Sequence, residues 1–447
     1  MTVLRRPLGA AVAVAVAAVG LTLGVGGTAH ADSSCENEVS SVAASDLTAD
    51  VTWAQQLFNM KRVWPMATGD GVTVAVLDSG VQADHPVLDG RVLSGKAYID
   101  AESQDEKEQN LGDGAVRDCL GHGTGVAGII AGGKSEEGDF YGLAPDAKIL
   151  PVRVSNQDPN VDRDDDDEPL VTADDVADAI RWAADQNVDV INMSLKFTED
   201  HGPLRSAVEY AIGKGSVVVA SGGNDGDKEL PVATAPVYPA SYPGVIGVGA
   251  VDATLTKTAQ SQWGPWIDVV APGISIAAPQ HDGDYQNDFG GTSGAAAFVS
   301  GTVALLAELF PDWEPQHYAS QIIRTASHVA GPTPSLEYGN GLVDPYRAVT
   351  ERLTDNAPVA ITEVNPPVLT EEQAARHEDF AWMNRTALII GLSAVAAFFI
   401  TVTGVAALRR GRRVGWRIGK ASKEDMIEPT DDGDPISLFQ GIKGLKQ

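Results

Sequence analysis

Cysteine is nearly absent from this chain of 447 residues, which contains only Cys35 and Cys119. Two cysteines allow at most one intramolecular disulfide bond, and this excludes a small domain stabilised by several disulfides. The fold must therefore depend on a hydrophobic core, and the chain is long enough to bury a large one. The two cysteines either form one bridge or remain free thiols.

Basic residues are also scarce relative to acidic ones. The chain has 32 Lys and Arg against 61 Asp and Glu, which gives a formal net charge of −29. Binding to nucleic acid requires clusters of Lys and Arg on the phosphates, so we exclude a nucleic acid partner. The acidic excess is typical of a soluble exported surface. Its densest part, residues 162–168, predicts a solvated and self-repelling loop, with a site for a cation or partner as the alternative.

Internal repeats are missing as well, and no set of side chains has the spacing of a metal site. The sequence therefore predicts neither a metal nor an organic cofactor. Structural calcium stays open, although no ligand set for it stands out.

The N-terminus has the pattern of a secretory signal peptide. Arg5 and Arg6 precede an apolar stretch over 8–27, and Ala29-His30-Ala31 forms a small-residue cleavage site. We assign residues 1–31 to the signal peptide, with an uncleaved membrane anchor as the alternative. An exported chain meets oxidising conditions, which favours a bridge between the two cysteines over free thiols.

The C-terminal region predicts a membrane anchor. Residues 354–386 form a linker that begins with a stretch rich in Pro and acids, and residues 387–408 carry no charge. A helix over 387–408 is about 33 Å long, enough to cross the hydrocarbon core. Five arginines follow it, so the tail 409–447 is predicted to be cytoplasmic and the preceding domain extracytoplasmic. A buried core helix is the weaker alternative.

Residues 66–353 alternate buried strands and amphipathic helices. Continuous apolar runs indicate a parallel sheet covered on both faces, and hence an α/β fold. Helices are predicted over 172–186, with Thr172 as N-cap and Asp175 at N3, and over 204–212. The predicted strands are Val72–Leu77, Lys148–Val154, Val188–Asn192, Ser216–Ala220 and Val245–Val248.

Three short motifs supply an acid, a base and a nucleophile, in that order. Asp78 closes the first apolar run, whereas His122 and Ser293 each open a small-residue helical stretch. A serine hydroxyl needs an adjacent base, imidazole titrates near neutrality, and a buried carboxylate fixes the imidazole tautomer. The motifs predict nucleophilic hydrolysis with Asp78, His122 and Ser293 as the triad.

A fourth motif follows the predicted strand 216–220. Asn224 ends the segment Ser221-Gly222-Gly223-Asn224, where its amide could donate a hydrogen bond to an oxyanion. A turn asparagine in a left-handed conformation is the alternative. Behind a complete triad we assign Asn224 to the oxyanion hole.

These motifs resemble those of the subtilase family and, within it, the mycosins. The resemblance extends from Thr52 to Leu353 and implies a subtilisin-like three-layer fold, with a mainly parallel sheet flanked by helices. The mycosin assignment adds a cysteine-bearing extension over 32–65, a cysteine just before His122 and one C-terminal membrane helix. The core motifs that carry the resemblance to the subtilase family are Val74-Ala75-Val76-Leu77-Asp78-Ser79-Gly80, His122-Gly123-Thr124-Gly125-Val126-Ala127-Gly128 and Gly291-Thr292-Ser293.

The sequence departs from the family in two places. Gly294 stands where subtilases usually have Met, and Ala297 and Phe298 stand where many have Pro and His. Lys196 and Phe197 replace small residues at the expected substrate cleft, which predicts narrow specificity. The resemblance implies a cleft formed by Ser194, Leu195, Lys196, Ser221, Gly222 and Gly223.

The resemblance also implies a biological setting. Mycosins are membrane-anchored subtilases of type VII secretion systems, so we expect a serine endopeptidase in the cell membrane. Its partners are expected to be exported protein substrates and membrane-complex subunits of the secretion system. A Cys35–Cys119 bridge would attach the extension to the rim of the active site. The alternatives are a mainly structural subunit and a released digestive protease, of which the second conflicts with the predicted membrane helix.

Overall fold

The structure is a computed structural model that describes residues 41–47, 52–99, 114–136, 138–155, 172–281, 283–353 and 409–410. The chain divides into two compact units, Met1–Pro366 and Pro367–Gln447, and the fold described below belongs to the first. Several predicted features lie outside the described residues: the signal peptide, Cys35, the acidic run 162–168, the linker 354–386, the membrane helix 387–408 and nearly all of the tail.

Nine strands occur in the described residues, and the first seven form one parallel sheet. Its strand order is β2-β3-β1-β4-β5-β6-β7, and every neighbouring pair is parallel. The α/β prediction is thereby confirmed. The strands are β1 Thr73–Asp78, β2 Lys96–Ala97, β3 Lys148–Arg153, β4 Val190–Met193, β5 Val217–Ser221, β6 Val245–Val251, β7 Val269–Pro272, β8 Ile276–Pro279 and β9 Tyr285–Phe289.

The sheet separates two hydrophobic cores, because successive side chains of a strand point to opposite faces. On β1, Val74 and Val76 belong to one core and Ala75 and Leu77 to the other. This burial on both faces explains the uninterrupted apolar runs of the sequence. The result is the predicted three-layer arrangement.

Seven α-helices occur in the described part of the chain. α2 and α5 belong to the first core, whereas α3 and α4 cover the opposite face. Thr172 accepts a hydrogen bond from Asp175 N, and the Asp175 side chain accepts from Thr172 N, which confirms the predicted capping box. The helices are α1 Trp53–Phe58, α2 His122–Ala131, α3 Ala173–Asp185, α4 Gly202–Gly213, α5 Gly291–Leu309, α6 Pro315–Arg324 and α7 Pro345–Thr350.

The segment from residue 52 to 65, predicted as part of an extension, packs into the domain core. Phe58 contacts Phe298 of α5, with ring centroids 5.3 Å apart, and Met60 and Val63 are fully buried. The Trp53 indole donates to the carbonyl of Ser275 at 3.0 Å. Packing therefore continues across the predicted boundary between residues 65 and 66.

Helix α5 is the longest described helix and occupies the centre of the first core. It is the single helix within the described residues that is long and apolar enough to cross a membrane, yet 89% of it is buried inside the domain. It is therefore a core helix, and it is a different segment from the predicted anchor at 387–408.

Candidate active site

The predicted site residues lie at the carboxyl-terminal edge of the parallel sheet. Asp78 is the last residue of β1, and Asn224 follows β5 by three residues. His122 is the first residue of α2, and Ser293 lies in the first turn of α5. Crevices at this edge of an open α/β sheet are where such folds bind ligands.

Asp78 and His122 form a buried hydrogen-bonded pair. The distance from His122 Nδ1 to Asp78 Oδ1 is 2.7 Å, and the residues are 6% and 5% exposed. Ser79 donates its backbone N–H to the same carboxylate oxygen at 2.7 Å. A carboxylate bound to Nδ1 keeps the proton on that nitrogen and holds the ring in one orientation.

A second buried carboxylate lies behind this pair. Asp118 is fully buried, and its Oδ2 accepts from Thr124 N at 2.8 Å and from Thr124 Oγ1 at 2.6 Å. Its Oδ1 accepts from Ser79 Oγ at 2.8 Å and from Leu120 N at 3.2 Å. Asp118 thus connects the first turn of α2, which carries His122, to the residue that follows Asp78.

Close packing around α2 requires glycine at two positions. A Cβ on Gly123 would lie 2.0 Å from the carbonyl oxygen of Gly80. Gly121 has φ +74°, in the left-handed region that favours glycine. The His122 ring lies 5.4 Å from the Phe289 ring, and Phe289 would also touch a Cβ on Gly294 of α5 at 3.3 Å. Phe289 therefore fills the space between the first turns of α2 and α5.

Asn224 is held by the residue before Ser293. Its Oδ1 accepts from Thr292 N at 2.8 Å and from Thr292 Oγ1 at 2.9 Å. The Thr292 hydroxyl also accepts from Gly223 N at 3.1 Å. Because the oxygen of the side-chain amide is engaged by two donors, its NH2 group is the end that can donate to a reacting oxygen. Gly291, at φ +83°, leaves room for this group, since a Cβ there would lie 2.9 Å from Asn224 Nδ2.

A chain of buried hydrogen bonds holds the backbone carbonyl of Ser293. Ser300 of α5 donates to Asn192 Oδ1 at 2.8 Å, and Asn192 Nδ2 donates to Ser194 Oγ at 3.0 Å. Ser194 in turn donates to the carbonyl of Ser293 at 3.4 Å. Asn192 is fully buried in β4, so its amide would be costly there without these partners.

A pocket of about 200 Å³ opens beside Ser293. Five of the six predicted cleft residues line it. Gly222 does not, because it packs inward, where a Cβ would lie 2.5 Å from Ile267 Cδ1. The pocket is lined by Ser194, Leu195, Lys196, Ser221, Gly223, Asn224, Asp225, Asp227, Lys228, Gln260 and Ser293.

The two bulky residues predicted for the cleft edge differ, because Lys196 lines the pocket and Phe197 does not. The Lys196 ammonium forms an ion pair with the Asp225 carboxylate. Phe197 pairs with Tyr238 as an antiparallel bridge, with N···O distances of 2.7 and 2.9 Å. Of the predicted bulk, Lys196 is thus present at the pocket, where it extends towards the loop after β5.

Cys119 is disulfide-bonded and immediately follows Asp118. The other cysteine of the chain, Cys35, lies outside the described residues, so the pairing stays a prediction. Within those residues, no group of three or more His, Cys, Asp or Glu side chains is arranged to hold a metal ion.

No sequence pattern predicted a role for Asp118, Asn192, Asp225 or Thr292. Thr292 had a detectable signal, because it stands between the glycine and the serine of a motif. Asp118 stands four residues before His122, but its role depends on Ser79, which is distant in sequence. Asn192 bonds to Ser300 and Asp225 pairs with Lys196, and these partners come close only in the folded chain.

Comparisons with known proteins identify the family. The family model described as "Subtilase family" matches residues 69–341. A thermophilic serine proteinase of Bacillus sp. (strain AK1) is 37% identical over 64% of this chain, and the match spans 64% of the relative's own length, less than two thirds. Mycosin-1 of Mycolicibacterium smegmatis is 33% identical over 72% of this chain and 78% of its own.

A solved structure titled as the MycP3 protease from the type VII (ESX-3) secretion system has the same fold. It aligns with a TM-score of 0.57 at 32% identity, over 70% of this chain and 92% of that one. The family match covers more than half of the chain and includes each predicted triad residue. The chain therefore belongs to the subtilase family of subtilisin-like serine endopeptidases, and it is similar to the mycosins.

Proposed function

We propose that the protein hydrolyses peptide bonds with Asp78, His122 and Ser293 as its catalytic triad. The observation that carries this proposal is the 2.7 Å hydrogen bond between Asp78 and His122, at the sheet edge that also holds Ser293 and Asn224. The buried carboxylate orients the imidazole and stabilises its protonated form. The chemistry requires no cofactor.

The reaction proceeds by acyl transfer. His122 takes the proton of the Ser293 hydroxyl while its oxygen attacks the scissile carbonyl carbon, and a tetrahedral oxyanion forms. The Asn224 amide and the Ser293 backbone N–H donate to this oxyanion. His122 then gives its proton to the leaving amine, and a water molecule hydrolyses the acyl-enzyme by the same steps in reverse roles.

The decisive variant is Ser293→Ala in the purified protein. We expect kcat on a cleavable peptide to fall on the order of 10⁶-fold, the loss established for the same unit in subtilisin, which leaves only the oxyanion donors and substrate binding. Ser206→Ala, an exposed serine on α4, is the matched control and should retain full activity. Near-normal turnover by Ser293→Ala would falsify the triad.

We further propose that the peptidase domain is anchored outside the membrane and acts on exported proteins beside a type VII secretion complex. The predicted signal peptide, the apolar segment 387–408 and the arginines after it support the topology. Similarity to mycosins supports the association. Protease treatment of intact, wall-stripped cells should remove the domain and spare an epitope at Gln447. Loss of both at one rate would contradict the orientation.

A mainly structural role in the secretion complex is the second candidate, because the same similarity supports it. A deletion strain complemented with Ser293→Ala separates the two. Secretion restored by the inactive protein indicates a structural subunit, whereas loss of specific N-terminal fragments from the exported proteome indicates proteolysis. The intact Asp78–His122 pair favours retained proteolysis.

A further inference from the structure

The pocket beside Ser293 is crossed by a charge pair. One wall is the segment 194–196 that follows β4, and the other is the loop 223–228 that follows β5. Lys196 extends from the first wall and Asp225 from the second, and their charged groups form an ion pair. The side chains are 30% and 23% exposed, so the pair lies at the pocket opening and is partly shielded from water.

Both partners are attached to fixed backbone. The residue after Lys196 exchanges two backbone hydrogen bonds with Tyr238. Asp225 donates its N–H to Gln262 Oε1 at 3.4 Å, and its carbonyl accepts from Lys228 N at 3.1 Å. Because both backbones are already held, forming this pair costs less conformational freedom than forming a pair between two mobile surface side chains. The contact across the pocket is therefore maintained.

The remaining charges of the pocket leave it electrically balanced. Asp227 and Lys228 also line it, so two acids face two lysines. A substrate side chain of either charge would have to compete with one partner of the existing pair and leave the other uncompensated. Leaving one partner of a partly buried pair unpaired is costly, whereas an uncharged side chain leaves the pair intact.

Ser293 and Asn224 both line the pocket, and in the proposed mechanism they act on the scissile carbonyl, so the substrate side chain nearest the pocket belongs to the residue that supplies this carbonyl. We propose that the Lys196–Asp225 ion pair determines specificity for this side chain, on the acyl side of the scissile bond, by selecting uncharged residues and rejecting both acidic and basic ones. This inference deepens the proposed function and rests on Ser293 as the nucleophile that the pocket adjoins. It assigns opposite consequences to the two partners. Loss of Lys196 leaves Asp225 to attract a basic side chain, and loss of Asp225 leaves Lys196 to attract an acidic one.

The test measures cleavage preference in a peptide library prepared by digesting a bacterial lysate. The full-length protein and its variants cleave the library, and mass spectrometry records the residue before each cut. We expect the wild type to be depleted in charged residues at this position. Lys196→Met should enrich Lys and Arg about tenfold, and Asp225→Asn should enrich Asp and Glu about tenfold, both less at high salt. Lys214→Met removes a lysine at the end of α4 that pairs with Asp185 of α3; neither residue lines the pocket, so the cleavage preference should not change.

The double variant Lys196→Met, Asp225→Asn keeps the test valid if a single variant is unstable. It removes one positive and one negative charge, so the pocket stays electrically balanced without the pair. It should therefore show neither the basic preference of Lys196→Met nor the acidic preference of Asp225→Asn. Unchanged preferences, or a shift in the same direction for both single variants, would overturn the inference. Failure of the proposed function is distinguishable, because cuts would then persist in Ser293→Ala or be missing in the wild type.

Discussion

The two sides of the active site are built on opposite principles. On the acid–base side, Asp78, His122 and Asp118 are buried, and their neighbours donate hydrogen bonds at 2.6–3.2 Å. On the pocket side, Lys196 and Asp225 remain 30% and 23% exposed and interact across an open space. Buried groups that several hydrogen bonds hold in place keep one geometry, as the chemistry requires. Partly solvated charges contribute less to the free energy of unfolding than buried ones, so replacing them should leave the fold intact while it changes which substrates the surface accepts.

This difference between the two sides predicts which substitutions will affect folding and which will affect turnover. Changes on the acid–base side should lower the free energy of unfolding together with kcat. Changes on the pocket side should alter kcat or preference alone. Variants of both sides test this division.

The disulfide at Cys119 should give the largest effect on stability. A Cys35–Cys119 bridge closes a loop of roughly 85 residues, and the chain-entropy model assigns it about 4–5 kcal/mol. The double variant Cys35→Ser, Cys119→Ser should lower the free energy of unfolding by about that amount in urea denaturation. Peptide mapping without reduction should recover the linked fragments. Two alkylatable thiols in the native protein would contradict the bridge.

On the pocket side, the Asn224→Ala variant should lower turnover without a comparable loss of stability. Loss of one oxyanion donor costs about 10²–10³ in kcat, the size established for the same kind of donor in subtilisin. The free energy of unfolding should change little, because Asn224 is partly exposed and lies on the pocket side. Thr292→Val, which removes one of the two donors to Asn224 Oδ1, should cost less. A kcat close to the wild type in Asn224→Ala would remove Asn224 from the mechanism.

Much of the fold was predictable, because burial of the sheet on both faces leaves continuous apolar runs in the sequence. The structure confirms the strand predicted over 72–77 as Thr73–Asp78, and the helix predicted over 204–212 as Gly202–Gly213. The hairpin of β8 and β9 was missed. The sequence Tyr-Gln-Asn-Asp-Phe of β9 buries only its two end residues, so no apolar run marks it.

The site divides in the same way. Asp78, His122 and Ser293 were recognisable because each carries its chemistry in a local motif. Asp118 and Asp225 were not, because their roles depend on Ser79 and Lys196, which lie more than 25 residues away in sequence. A pairing between loops is set by how the strands are ordered in the sheet, which no local pattern encodes.

Asp118→Asn tests the acid–base side directly. An amide in place of the carboxylate has only one acceptor oxygen, so part of the network from Ser79, Leu120 and Thr124 is lost. We expect the free energy of unfolding to fall by about 2–3 kcal/mol and kcat to fall roughly 10-fold to 100-fold, with KM nearly unchanged. Asp146→Asn, at an exposed position, is the control and should match the wild type. If the free energy of unfolding and kcat did not fall together in Asp118→Asn, the proposed difference between the two sides of the site would be wrong.

Asp268 lies outside the site and is a buried acid with fewer hydrogen-bond donors than Asp118. Among the described residues its carboxylate accepts one hydrogen bond, from Gly247 N at 2.9 Å. Burial raises the pKa of Asp268 from 3.8 to about 7. The unfolded chain therefore loses this proton near pH 4, whereas the folded protein keeps it until about pH 7. Between these values the folded state binds more protons, so the free energy of unfolding falls as pH rises.

Asp268→Asn should remove this pH dependence, since its side-chain oxygen still accepts from Gly247. We expect equal stability of variant and wild type near pH 4 and a growing advantage of the variant up to about pH 7, at no more than roughly 1.4 kcal/mol per pH unit. Above pH 7 the advantage should stay constant, because the carboxyl is then ionised in both states. Urea denaturation at several pH values measures the difference, with Asp146→Asn as the exposed control. Parallel curves for Asp268→Asn and the wild type would show that burial does not raise the pKa of Asp268.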